Sequence, residues 1–276
     1  MNSRKQIIIL SSDDIRHNYF KLMFSNAPQI KVLKTYAESE FRFSLGKKQV
    51  SNQILEDIIQ LHFNSRHNTE YDFFSDIILS SIDNSNTKYI SKNDINTEAV
   101  VNEIISLNPD YIVTYGCSIL RSRLLEVLKN RIINVHLGIS PYYFGSGTNF
   151  HAMVENNFQC VGYTFMYMDE GIDTGKIIHQ SRAEIFPFDN PHQIGNRLIK
   201  QMTNDFIKLI QNMELIVEKT ALTTSVGRTY KRKDATYDRI KLLYDNFKNN
   251  AVFNYLKIKE GLEREYPIVE QELLKR

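Results

Sequence analysis

The 276-residue chain has only two cysteines, Cys117 and Cys160, too few for a disulfide framework or a four-ligand zinc site. A dominant charge is also lacking. Lys plus Arg number 34 and Asp plus Glu 32, a net charge of +2. That balance excludes a protein that coats nucleic acid by bulk charge, and no nucleic-acid partner is expected. No run approaches the ~20 consecutive apolar residues that a membrane-spanning helix needs, so no membrane partner is expected either. The opening MNSRKQIIILSSDD offers four apolar residues in a row, shorter than the core of a signal peptide. A cytoplasmic, reduced setting is the expectation. The first strand–helix turn reads Ser11-Ser12-Asp13-Asp14, so the G-x-G-x-x-G dinucleotide fingerprint is absent. His136, His151 and His179 do not fall into an H-x-x-x-H spacing, and no metal is expected.

What is present is ordinary for a packed globular protein: 42% hydrophobic and 24% charged residues. The β-branched run 7–10 reads as a buried strand. Asp13 or Asp14 can cap a helix through Ile15, Tyr19, Leu22 and Met23, and residues 30–36 read as a second strand. This β-α-β opening predicts an α/β fold, a Rossmann-like open, mostly parallel twisted sheet with helices on both faces. Residues 50–65 read as helix, and 66–96, rich in Asn, Ser and Asp, as loop with short elements. Further helices are expected at 99–107, 121–128 and 148–156. Further strands are expected at 111–115, 132–136, 161–168 and from 176 towards 185. Asn190 and Pro191 open the longest helical pattern, with Ile194, Leu198, Ile199, Met202, Phe206, Ile207, Ile210 and Met213 on one stripe. The composition shifts near residue 220. The expected division is therefore a main domain at 1–219 and a C-terminal extension at 220–276. Phe253, Leu256, Ile258 and Leu262 in that extension suit either a homodimer contact or folding back on the same domain.

The chemistry concentrates between residues 134 and 180. In INVHLGISPYYFGSGTNF a strand delivers Asn134 and His136 two residues apart, on one face at its carboxyl end. Ligands bind at that end of an open α/β sheet. Gly138, Pro141, Gly145 and Gly147 follow in a loop that lets backbone approach a substrate. In VGYTFMYMDEGIDTGKIIHQ a strand enters a turn with Asp169, Glu170, Gly171, Asp173 and Gly175. Alone, those carboxylates read as a solvated turn.

Taken together, N-x-H, S-P-Y-Y-x-G, G-x-T and D-x-G-x-D-x-G-x-I resemble the folate-dependent formyltransferases. The variant HLGISPYYFGSGTNF with DEGIDTGKIIHQ is similar to the sugar N-formyltransferase branch associated with surface-polysaccharide (lipopolysaccharide O-antigen) biosynthesis. The resemblance implies a catalytic triad of Asn134, His136 and Asp173. It implies N10-formyltetrahydrofolate as formyl donor and a nucleotide-linked amino sugar as acceptor. It also implies that Gly116, Cys117, Ser118, Ile119, Leu120 and Ile132 face Asp169, Glu170, Gly171 and Ile172 across a pterin ring. Most relatives carry serine where Gly138 stands here, although a serine occurs at Ser140. Ser140, Tyr142, Tyr143 and Gly145 are the candidate acceptor-binding residues. The aromatic ones suit either stacking on a base or sugar or anchoring their loop. Arg228 to Lys233 suit a diphosphate or a solvated face. Other readings within the resemblance are methionyl-tRNA formyltransferase, glycinamide ribonucleotide formyltransferase and formyltetrahydrofolate hydrolase. Outside enzymes, the reading is a folate- or nucleotide-binding module.

Overall fold

The β-branched run near the start of the chain becomes β1 (Lys5–Ser12), whose last six residues are buried. A strand covered on both faces has no side that tolerates charge. The computed structural model describes residues 4–39, 53–219 and 227–275. Helix α1 (Ile15–Ser25) and β2 (Ile30–Ser39) complete the opening unit. Asp14 occupies the N-cap position of α1, but its carboxylate pairs with Arg16 at 2.6 Å and makes no cap hydrogen bond. The chain continues through α2 (Gln53–Ser80), β3 (Thr87–Ser91), α3 (Glu98–Leu107), β4 (Tyr111–Tyr115), α4 (Ser122–Val127) and β5 (Ile132–His136). Then come β6 (Tyr143–Gly145), α5 (Thr148–Val154), β7 (Gly162–Tyr167), β8 (Ile177–Arg182) and α6 (Pro191–Gln211). Three elements follow in the tail, β9 (Arg228–Tyr230), α7 (Tyr237–Lys248) and α8 (Ala251–Glu265).

The main sheet runs β3-β2-β1-β4-β5-β7-β8. The first five strands are mutually parallel, β7 runs antiparallel to β5, and β8 runs antiparallel to β7. The sheet grows outward from β1 to β3 and then restarts at β4 on the other side of β1. This leaves a switch point at the carboxyl ends of β1 and β4, with β5 next in order. Alternation along β5 divides its residues between two cores. Ile133 and Val135 join the larger core, with α1, α5 and α6, and Ile132 joins the smaller one, with α3 and α4. Phe20, Phe24, Phe165 and Phe206 link α1, β7 and α6 through ring contacts of 4.5 to 6.0 Å.

One expectation is corrected. Residues 66–80, read as loop-heavy, continue α2 without a break. Their polar residues Asn64, Asn68, Asp72 and Asp76 recur every four positions and face solvent. Meanwhile Phe74 is buried, Phe73, Ile77 and Ile78 pack on the larger core, and Glu70 pairs with Arg16 at 3.0 Å. Composition alone hid this, because a solvated helix face and a loop use the same residue types. By contrast, α6 starts at Pro191 with the expected Asn190 cap, completed by a reciprocal bond from Gln193.

The tail lies on the same body. Leu243, Val252, Tyr255 and Leu274 join the larger core, and Leu256 and Leu262 pack against it, whereas Phe253 and Ile258 are exposed. Residues 263–271 run beside β8. Arg182 donates to the carbonyls of Glu263 and Tyr266, and Gln180 exchanges bonds with Val269. The tail thereby covers an edge that would otherwise invite foreign strands. Among the described residues no helix is long and apolar enough to cross a membrane.

Burial also sets a pH dependence. It pushes the imidazoles of His151 and His179 down to about 4 and that of His192 down to about 3. The Gln271 amide donates to His179 Nδ1 at 3.1 Å, which requires that nitrogen to be unprotonated. Near pH 6.5 and below, the unfolded chain binds these protons while the native state does not. Stability is therefore complete above about pH 6.5 and falls towards pH 4 by about 1.4 kcal/mol per pH unit for each imidazole. Urea unfolding at pH 7 and pH 5.5 should show this loss, and His179→Gln should make the pH slope shallower by one proton's worth.

Candidate active site

Strand β5 carries Asn134 and His136 at the carboxyl end of the sheet. Asn134 is opposite Thr114 of β4 in the parallel register. The Thr114 hydroxyl donates to Asn134 Oδ1 at 2.6 Å. The carbonyl end of the amide is thus fixed towards β4. The NH2 end makes no hydrogen bond to the described residues and is the donor left for chemistry.

His136 is held from both sides. Its Nδ1 lies 3.1 Å from Asp173 Oδ2, and its Nε2 lies 3.1 Å from the Tyr143 carbonyl and 3.3 Å from Thr148 Oγ1. The Thr148 hydroxyl itself donates to the Leu137 carbonyl, so towards His136 it accepts. A ring with acceptors at both nitrogens satisfies both when each carries a proton. The ring is 5% exposed, which strengthens its interaction with the carboxylate. Asp173 sits in the turn between β7 and β8 at φ 57°, a left-handed conformation that Asp tolerates better than most residues. It accepts from the Gly145 amide at 2.8 Å as well as from His136. Burial alone would raise this carboxyl. The hydrogen bond and charge of His136, with the Gly145 amide, outweigh burial and hold it below the ordinary carboxylate range.

Gly138 acquires a reason. A Cβ there would come within 2.3 Å of Thr148 Oγ1 and 2.6 Å of His136 Nε2. Position 138 has no room for a side chain beside this histidine and threonine.

The loop after β4 and the turn after β7 meet over the smaller core. Leu120 and Ile132 are buried in it, and Cys117 and Met168 pack against it. Above this floor Ile119 and Ile172 are largely exposed, at 68% and 53%. Gly116 adopts φ 74°, and the Ser118 amide donates to Glu38 Oε2 at 2.6 Å. In the turn, Asp169 accepts from the Gly171 amide and from Thr174, while Glu170 is exposed. Burial, and then the charge of Glu38, push the Cys117 thiol up to about 12, and burial does the same to Cys160. Neither is a nucleophile at neutral pH.

The candidate acceptor residues are tied to neighbouring elements. Tyr142 donates to the Pro267 carbonyl at 2.8 Å, Tyr143 donates to Glu155 at 2.9 Å, and Ser140 is buried with its amide bonded to Thr164. Gly145 contributes its amide to Asp173. Three site residues escaped the sequence reading: Thr114, Thr148 and Glu38. A carboxylate ending an otherwise buried strand, Tyr36-Ala37-Glu38, was the available signal for Glu38. Thr114 and Thr148 are defined by strand register and loop packing, which leave no local mark. Among the described residues no group of three or more His, Cys, Asp or Glu side chains is arranged to hold a metal ion.

A family model described as "Formyl transferase" matches residues 52–210. The methionyl-tRNA formyltransferase of Alkaliphilus oremlandii is 37% identical over 121 residues, covering 42% of this chain and 38% of that protein. The chain thus spans less than half the length of the curated relatives it matches. Among solved structures, phosphoribosylglycinamide formyltransferase from Anaplasma phagocytophilum superposes with a TM-score of 0.55 at 13% identity, covering 83% of this chain and 100% of the other. A sugar N-formyltransferase from Shewanella superposes with a TM-score of 0.51 at 18% identity, covering 86% of each chain. At these identities the two structures establish the shared fold.

Glu38 gives a direct test of the loop after β4. Its carboxylate is buried and receives the amides of Asn93 and Ser118 at 2.8 and 2.6 Å. Glu38→Ala strands the buried Ser118 amide, while the Asn93 amide can turn to solvent, and should cost about 1–3 kcal/mol of stability. The measurements are chemical denaturation and amide exchange, with faster exchange concentrated in residues 116–120.

Proposed function

The chain belongs to the formyl transferase family, and on that premise we propose that it moves the formyl group of N10-formyltetrahydrofolate onto the amine of a nucleotide-linked amino sugar. The observation that carries this reading is the His136–Asp173 pair, with the Asn134 amide on the same strand face. The donor's pterin ring suits the exposed Ile119 and Ile172 over the floor of Leu120, Ile132 and Met168. Cys117 and the backbone of residues 116–118 and 169–172 stand at its edges.

The folate supplies an activated one-carbon unit. As the acceptor amine adds to it, negative charge grows on the formyl oxygen and positive charge on the nitrogen. Asn134 Nδ2 is the free, neutral donor for that oxygen. Nε2 of His136 is given to the Tyr143 carbonyl and Thr148, so His136 acts through its grip on Asp173. Asp173, held ionised, accepts the proton that the attacking nitrogen must lose, directly or through water; the tetrahedral centre then collapses, the bond from the formyl carbon to N10 breaks, and the same proton passes to N10 of the departing tetrahydrofolate.

One feature supports a nucleotide sugar as acceptor: the HLGISPYYFGSGTNF and DEGIDTGKIIHQ segments are similar to the sugar-modifying branch. The second reading, methionyl-tRNA formyltransferase, is favoured by the 37% identity to the Alkaliphilus protein over 121 residues.

A panel decides between them: N10-formyltetrahydrofolate with nucleotide-linked amino sugars, glycinamide ribonucleotide, charged initiator tRNA, or water alone. A formylated nucleotide sugar, detected by mass spectrometry, is the expected product. Formylated aminoacyl-tRNA supports the second reading, and folate release without any acceptor identifies a hydrolase. Asn134→Ala and Asp173→Asn should each lower turnover by about a hundredfold or more while folding normally. Turnover near that of the parent in either variant removes its residue from the reaction.

A further inference from the structure

Strand β6 has two hydrogen-bonding edges, and they serve different parts of the chain. Successive residues of a strand direct their backbone groups to opposite edges. On one edge, the Tyr143 carbonyl meets His136 Nε2 and the Gly145 amide meets Asp173 Oδ2. On the other, the Tyr142 carbonyl accepts from the Arg228 amide at 3.1 Å, and the Ser146 amide donates to the Tyr230 carbonyl at 2.9 Å. The partner on this second edge is β9, parallel to β6 with Tyr143 opposite Arg228 and Gly145 opposite Tyr230. Gly145 is at φ 88°, and a Cβ there would stand 2.1 Å from the Tyr230 carbonyl. The two strands are therefore seated as closely as their backbones allow.

The side chains of β9 are anchored independently. Tyr230 stacks on His151 with centroids 4.0 Å apart and donates to Glu155 Oε1 at 2.5 Å. Glu155, just beyond α5, also receives Tyr143 at 2.9 Å and Arg239 of α7 at 3.0 Å, and it pairs with Arg228 at 3.2 Å. One carboxylate thus ties the tail, α5 and β6 together.

We propose that β9, fixed by Tyr230, is a positioning strap that holds β6 so that its inner edge orients both His136 and Asp173. Tyr230 is a positioning residue. The tail acts on the reaction without touching substrate. The effect on rate rests on the catalytic reading of the dyad given above. The mechanical part, that β9 orders β6, stands without it.

Two readouts test the strap. In Tyr230→Ala, amide exchange in residues 142–146 should rise about tenfold or more, while exchange in β1 and β4 stays unchanged. With the acceptor selected by the panel, kcat should fall about tenfold or more with both KM values within about twofold. Loss of orientation acts on the reacting geometry more than on binding. The acid limb of the kcat profile should shift, because the surroundings of Asp173 change. Tyr230→Phe, which keeps the stacked ring, should recover most of kcat. Should Tyr230→Ala fail to fold, Glu155→Gln, which keeps every ring, is read in the same way. Unchanged exchange at 142–146 overturns the strap, and so does an unchanged kcat in a variant whose exchange has risen. His136→Ala measured alongside separates the two ideas. Parent-level turnover there overturns the catalytic reading and leaves the exchange data to decide on the strap.

Discussion

A single hydrogen bond in a nearly dry setting organises the site: His136 to Asp173. Polar groups this buried are stable only when each finds a partner and the remaining donors and acceptors are satisfied. The structure meets that demand with backbone. The Tyr143 carbonyl closes the far nitrogen of the ring, and the Gly145 amide closes the carboxylate. Both come from one short strand, so the orientation of imidazole and carboxylate is set by a single element.

Other features follow from that requirement. Gly138 lacks a side chain because Thr148 and His136 fill the space beside it. Asp173 adopts a left-handed backbone that aims its carboxylate back towards β5 and β6. Tyr142 and Tyr143, which from sequence suited either stacking on a base or sugar or anchoring their loop, donate to the tail and to Glu155 and hold the loop. Elsewhere, Ile119 and Ile172 lie exposed on loops whose bases are firmly packed, the surface proposed for the donor's ring.

The tail is joined to the loop around β6 more closely than its sequence pattern implies. Shifted composition after residue 220 suggested an appendage. Yet its buried residues enter the larger core, its later residues cover β8, and its first strand pairs with β6. The basic cluster that suited a diphosphate or solvent contributes Arg228 to Glu155, an internal carboxylate.

Legibility varied with the range of the interaction. The β-α-β opening, the strand 132–136 with its two polar side chains, the capped helix at Asn190 and the paired motifs were readable because period, cap chemistry and spacing are local properties of a chain. The length of α2 was not, since its outward stripe of Asn64, Asn68, Asp72 and Asp76 has the composition of a loop. By itself the sequence determined the α/β class, the side chains available for chemistry and the family they resemble. Only the tertiary structure decided that Asn134 keeps its NH2 free, that both nitrogens of His136 are engaged, and that residues 228–230 brace the strand between them. Those outcomes depend on register and on contacts between residues far apart in the chain, which no local pattern encodes.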